Sequence, residues 1–320
     1  MISYLKKNAG CIFGFAIPAL FSTIVCAYVL QGPHILQLVT EKMGRAKTLL
    51  VSQKVIFYNL QPQPELPDEN VSPESLKGVA NQTDFQQERP ADSENPTVRP
   101  AVIQLDESLR YVFSEAFRSD IVSDDNQRIF VFKDGQTLTV IDGVISGVAE
   151  TRFDLYKDLL LYRSRERLCE RLLQLGIDVA ISSLGKFEDR LAFVVGAEYP
   201  DETRPQVWIE MKTFQPLRLL IPGSSGPTGA GFLEIRYLRW QEIGKIWYPM
   251  QIVFMQDGKI VRAIEVNDYQ VDPHFAKDVF DIARLKSEHR QSAVTPERPA
   301  ENEGLSEVQK TIEEFKKIFE

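Results

Sequence analysis

Between residues 101 and 285 the chain repeats one pattern: short apolar segments with a period of two, set between tight turns. Leu191, Phe193, Val195 and Ala197 fall on one side of such a segment, and Val207, Ile209 and Met211 on one side of the next. Successive side chains of a strand point to opposite faces, so this alternation predicts strands with one apolar face each. Strands are predicted at Leu109 to Asp120, Ile129 to Lys133, Thr137 to Ile141, Leu217 to Ile221, Phe232 to Trp240, Trp247 to Met255 and Ile260 to Val266. Asp134-Gly135, Asp142-Gly143 and Asp257-Gly258 supply the turn chemistry, because Gly and Asp accept the left-handed backbone of short hairpins. Consecutive strands joined this way make a meandering antiparallel sheet.

Two helices are expected beside the sheet. Pro33 suits a first helical turn, and Ile35, Leu36, Leu38, Val39 and Met43 follow at helical spacing up to Gly44. Asp154 is read as the cap of a helix running to Leu175, closed by Gly176. Leu155, Leu159, Tyr162, Cys169, Leu172 and Leu175 form its apolar positions. Leu49 to Leu60 reads as a further β segment.

The flanking segments differ in composition. Lys6 and Lys7 precede an uncharged run from Ala9 to Leu30, so residues 1–30 read as a signal peptide or a membrane anchor. Val25 and Ala27 suit cleavage after Ala27, while the run is also long enough to span a bilayer. In both cases the lysines keep the N-terminus cytoplasmic and the body lies outside the inner membrane. Cys26 is a poor lipidation site because Val25 precedes it. Residues 61–100 carry seven prolines among Glu, Asp, Gln, Asn and Ser and are expected to be a disordered insert. Residues 286–304 read as a polar linker. In 305–320, Leu305, Val308, Ile312, Phe315 and Phe319 recur at helical spacing behind a Ser306/Gln309 capping box, an amphipathic helix suited to a protein partner.

Composition narrows the functions. The formal net charge of -8 opposes nucleic-acid binding, which needs a basic footprint. Cys11 and Cys26 lie in the N-terminal run, which leaves Cys169 alone in the body and excludes a disulfide framework. The sequence holds no Gly-x-Ser-x-Gly elbow, Cys-x-x-Cys or His-Glu-x-x-His, and the loop from Gly223 to Gly231 lacks the Lys-Ser/Thr ending of a phosphate loop. His34, His274 and His289 are far apart. No catalytic residue, metal ligand or cofactor site is therefore assigned.

Three stretches carry a resemblance. Ile35 to Val55 is a helix, then Gly44-Arg45-Ala46-Lys47-Thr48, then a β run. Pro205-Gln206-Val207-Trp208-Ile209-Glu210 leads through Lys212-Thr213-Phe214-Gln215 to Pro216-Leu217-Arg218. Ile235-Arg236-Tyr237 precedes Gly244-Lys245-Ile246-Trp247-Tyr248-Pro249 and Asp257-Gly258-Lys259. Together they resemble the LolA-type outer-membrane lipoprotein-sorting superfamily, over roughly 33–60 and 101–285. The resemblance implies an α+β, mainly antiparallel fold: an incomplete, half-open β-barrel with helices over its open side, spanning residues 33–285. It implies a hollow for an acyl chain of a lipid or lipoprotein and an arginine on an early strand that holds the helical lid, a place that Arg118 occupies here. The expected inward face is Phe130, Phe132, Leu138, Val140, Phe193, Val195, Val207, Ile209, Ile235 and Tyr237. The function expected is non-catalytic binding of acyl chains in the periplasm. The alternative is an anchored structural or signalling module of the same fold that uses residues 305–320 for a partner.

Overall fold

Alternation becomes strand after strand. The computed structural model describes residues 29–58, 102–123, 126–223 and 231–291; the N-terminal run up to residue 28, the insert at 61–100 and the helix expected at 305–320 lie outside them. The strands are β1 (Thr48–Tyr58), β2 (Val102–Val112), β3 (Ala116–Val122), β4 (Gln127–Lys133), β5 (Gln136–Ile141), β6 (Val144–Ile145) and β7 (Ser182–Phe187). They continue as β8 (Arg190–Val195), β9 (Gln206–Glu210), β10 (Pro216–Pro222), β11 (Phe232–Ile243), β12 (Ile246–Gln256), β13 (Lys259–Val271) and β14 (Arg290–Gln291). All fourteen belong to one sheet in the order β14-β6-β5-β4-β3-β2-β1-β13-β12-β11-β10-β9-β8-β7. Neighbours run antiparallel except β14 beside β6. The end strands β14 and β7 do not pair with each other, so the sheet stays open.

The sheet curls. Tyr111 on β2 and Tyr248 on β12 are three strand spacings apart, about 14 Å on a flat sheet. Their rings are centred 6.1 Å apart and their hydroxyls share a 3.0 Å hydrogen bond. Three helices lie on this concave face: α1 (Gly32–Lys42), α2 (Asp158–Leu161) and α3 (Arg165–Gln174). A 3₁₀ turn, Arg152–Lys157, leads into α2. Their apolar residues and those of the inner strand faces form one continuous core, the open half-barrel with a helical cover expected from the sequence. A smaller core lies on the convex face, where a second 3₁₀ turn, Lys277–Phe280, and α4 (Ile282–Glu288) cover Ile129, Val131, Leu138 and Val140. The chain thus remains in regular structure through Gln291.

Three local expectations are corrected. Leu109 to Asp120 is not one strand: the chain reverses between Val112 and Ala116, with Ser114 at φ 65. No Gly, Pro or Asn marks this turn; the Ser114 N–H donates to Leu161 O at 2.8 Å, so a tertiary contact holds it. The helix expected from Asp154 to Leu175 is broken. Asp154 sits in the third position of the 3₁₀ turn, where its carboxylate accepts from Thr151 N and Oγ1, and Tyr162 is extended. Ser164 then caps α3, its Oγ accepting from Arg167 N–H at 3.4 Å. Finally, Ala197 leaves the face of Leu191, Phe193 and Val195, because Gly196 turns the chain at φ 111 after β8 ends.

Candidate functional site

Residues 151–175 and α1 together form a lid on the concave floor, and the way it is fastened defines the site. Arg128 lies at an inward position of β4, two residues before Phe130. Its Nη2 meets Asp154 Oδ2 of the lid at 2.6 Å. Arg262, inward on β13, donates from Nη1 to Phe153 O at 3.3 Å. Tyr237, on β11, donates from Oη to Tyr156 O at 2.9 Å. Strands β4 and β13 are four spacings apart in the sheet, yet both arginines reach the same 3₁₀ turn, which sits in the middle of the curve.

The floor beneath is aromatic with polar inserts. Phe117, Phe130, Phe254 and Tyr111 are buried there beside Phe153 and Tyr156 of the lid. Glu107, on β2, accepts from Gln53 Nε2 and Ser119 Oγ, each at 2.5 Å, with Arg262 Nη2 at 3.9 Å. Lys157 of the lid lies 5.2 Å over the Phe130 ring, pairs with Glu150 and stands 3.1 Å from Asp158. Arg171 on α3 closes this group, 2.6 Å from Glu150 and 2.7 Å from Asp158.

The electrostatics follow from burial and pairing. Burial works against the Asp154 carboxylate, but the Arg128 guanidinium, Lys157 and the Thr151 N–H outweigh it, and Asp154 stays below the ordinary carboxylate value. Burial likewise disfavours the Lys157 ammonium, yet Asp158, Glu150 and Asp154 hold its pKa above the ordinary lysine value. For the Tyr237 hydroxyl, burial dominates and pushes the pKa far up, so it remains a neutral donor. These charges are engaged by one another, an arrangement suited to positioning the lid.

The residues expected to face inward divide between the two faces. Phe130, Phe193, Val195, Val207, Ile209, Ile235 and Tyr237 lie in the concave core, and Phe132 packs against it. Leu138 and Val140 are a correction: they lie on the convex face, with Phe280, Ile282 and Leu285. The Asp134-Gly135 turn explains it. A two-residue turn pairs Lys133 with Gln136, hence Phe132 with Thr137 and Phe130 with Thr139. Directly opposed residues share a face, so Thr137 and Thr139 accompany the phenylalanines and Leu138 and Val140 point away. Arg118 is corrected too. It is on the convex side of β3, bound to Asp120 and donating from Nη1 to Val279 O at 2.7 Å. It fastens the outer 3₁₀ turn, not the concave lid. Arg128 and Arg262 hold the lid instead, and neither belongs to the apolar face expected from the sequence. The signal was there: each occupies an inward place in an alternating strand.

Among the described residues, two surface clefts flank the lid. One, of about 540 Å³, lies among Phe132, Tyr162, Glu150, Arg167, Glu170 and Arg171. The other, of about 750 Å³, opens where α1 meets the start of β1. Among the described residues no helix is long and apolar enough to cross a membrane.

No protein-family profile matches the chain, and no curated protein matches it. Solved structures do. The chain is similar to LolA-type proteins of known structure. A LolA superfamily protein from Nitrosomonas europaea aligns over 80% of this chain and 100% of its own, at 11% identity and TM-score 0.46. An outer-membrane lipoprotein-sorting protein domain from Vibrio parahaemolyticus covers 80% and 98% respectively, at 10% identity and TM-score 0.46. A DUF1329 family protein from Desulfovibrio piger does so at 12% identity and the same TM-score, 0.46.

Proposed function

We propose that this chain is a non-catalytic protein of the bacterial envelope that takes an acyl chain of a lipid or lipoprotein between its lid and its floor. One observation carries the reading. The lid is fastened across an apolar floor at a few discrete polar points, Arg128–Asp154, Arg262–Phe153 and Tyr237–Tyr156, which can be released and remade together. The floor can recover the cost of release. An acyl chain gains about 0.8 kcal/mol per methylene buried, so a chain of about twelve methylenes gains roughly 10 kcal/mol. Separating a buried ion pair costs several kcal/mol. Phe193, Val195, Val207, Ile209 and Ile235 form an apolar part of the proposed surface. The basic start and apolar run of the N-terminal segment support the envelope location.

A second reading has its own observation. Phe153, Tyr156, Leu159, Leu160 and Leu161 of the lid already fill the floor's centre, as a structural or signalling module without a ligand requires. Such a module would use residues 305–320 to meet an envelope partner. Native mass spectrometry of the full chain, with titration of a fluorescent acyl probe, separates the two. The acyl reading expects co-purified lipid or saturable probe binding, weakened by Ile209→Asp in a variant whose circular dichroism is unchanged. A folded chain that carries no lipid and binds no probe leaves the module.

A further inference from the structure

The cleft of about 750 Å³ lies where the end of α1, the start of β1, the end of β2 and the α2–α3 junction meet. Its walls include Glu41, Arg45, Lys47, Phe113, Glu115 and Arg163. Arg163 differs from three other arginines of the fold. Arg128, Arg171 and Arg218 each hold a carboxylate. The Arg163 guanidinium lies 4.2 Å over the Phe113 ring. Its Nε, Nη1 and Nη2 are shut off from solvent and have no hydrogen-bond partner among the described residues. The rest of the residue keeps partial exposure as part of the cleft wall.

This placement is not accidental to the fold. The Arg163 N–H donates to Ser114 Oγ at 2.8 Å, and Ser114 N–H donates to Leu161 O. The β2–β3 turn therefore fixes the backbone from which the side chain reaches Phe113. Burial lowers the Arg163 pKa to about 10, so the group is still a cation at neutral pH. A buried cation without hydrogen bonds or counter-charge is costly. Arg45 and Lys47 stand exposed at the same cleft and make no ion pair among the described residues. Glu41 and Glu115 line the same cleft, Glu41 accepting from Gln37 Nε2, and at its margin the Asp272 carboxylate accepts from Lys47 N–H at 2.7 Å and from Thr48 N–H. Of the residues lining the cleft, three are cations and two are carboxylates, and the Asp272 carboxylate at the margin is already engaged by backbone N–H groups, so the three cations keep donors free for a further anion.

We propose that this cleft binds an oxyanion of the phosphate class, with Arg163 as its inner donor and Arg45 and Lys47 as its outer charges. A guanidinium presents a planar fork of donors that matches such groups, and the aromatic face of Phe113 keeps it oriented when the site is empty. Binding draws the fork from the ring toward the cleft. The oxyanion is either free in solution or the head of a lipid, and the chemistry at Arg163 is the same in both.

The test uses the full chain with two probes, inorganic phosphate and monomeric dihexanoyl phosphatidic acid, read by calorimetry and by thermal unfolding at constant ionic strength. Saturable binding of at least one probe is expected, together with a matching rise in melting temperature. Arg163→Leu should unfold at a higher temperature than the parent without ligand, because an unpaired buried charge is gone, and should weaken binding by at least about tenfold. Arg163→Gln repeats the binding measurement should the leucine variant not fold. Arg45→Ala with Lys47→Ala should weaken binding and flatten its salt dependence. Binding of phosphatidic acid alone assigns the oxyanion to a lipid head; equal binding of phosphate assigns a free anion. No saturable binding of either probe, or binding that survives loss of Arg163, overturns the proposal. Inorganic phosphate has no acyl chain, so success in that arm stands even where acyl binding fails.

Discussion

Arg128 and Asp154 form an ion pair whose side chains are only 1% and 5% exposed. Removing one partner strands the other charge, which costs about 3–5 kcal/mol for a buried pair. Arg128→Met should therefore lower stability in urea denaturation by about that amount. Arg128→Met with Asp154→Asn should recover part of it, because both charges leave together while the amide oxygen can still accept from Thr151. A double variant as unstable as the single would mean that the pair is uncoupled. Asp154 also sets a pH dependence. Burial opposes its charge, but Arg128, Lys157 and Thr151 hold its pKa below that of the unfolded chain, which lies near 3.9. A depressed carboxylate contributes stability that is present above the unfolded pKa and lost as pH falls through the folded one. Stability should thus drop on acidification below the usual carboxylate range. In Asp154→Asn that part of the drop should be absent, as chemical denaturation across a pH series will report.

At the scale of elements, the lid's footing depends on Gly44. It follows α1 with φ 91, and a Cβ there would come within 2.1 Å of Lys245 O in the β11–β12 turn. The approach is used: Met43 O accepts from Trp247 N–H, and Arg45 N–H donates to Lys245 O. Gly44→Ala should destabilise by more than about 1 kcal/mol, since alanine is incompatible with both the backbone and the contact; a melting temperature equal to the parent's would contradict this. Elements of this kind were partly legible in the sequence. Pro33, Ile35, Leu36, Val39 and Met43 marked α1 because helical period and position agree, and the Asp-Gly turns marked β4, β5, β12 and β13. The β2–β3 turn was not legible, because Ser114 takes its conformation from a bond to Leu161. Nor was the break at Tyr162, where local period favours one continuous helix and packing on the floor prevails. In the site, residues on the correct face followed from alternation once the turn was counted through. Arg128 and Arg262 escaped because an inward charge reads as an interruption of an apolar strand until its partner is known.

For the whole molecule, the order of strands matters more than any one contact. β1, near the start of the described chain, lies between β2 and β13, with Leu49 paired to Val271 and Val55 to Ile264. The sheet's middle is thus made from the two ends of the body. Closing so long a loop must precede the contacts that reward it. Refolding of the full chain should occupy milliseconds to seconds or longer, and a dominant microsecond phase in stopped- and continuous-flow experiments would contradict it. Synthesis runs from the N-terminus. Leu49, Val51, Val55 and Phe57 emerge early, and one edge of their strand waits for Lys259–Val271, among the last strands to be made. A nascent chain of this topology carries sticky, half-paired β surface for most of its synthesis, and escorts that shield it during that interval would govern its yield as much as the stability of the finished sheet.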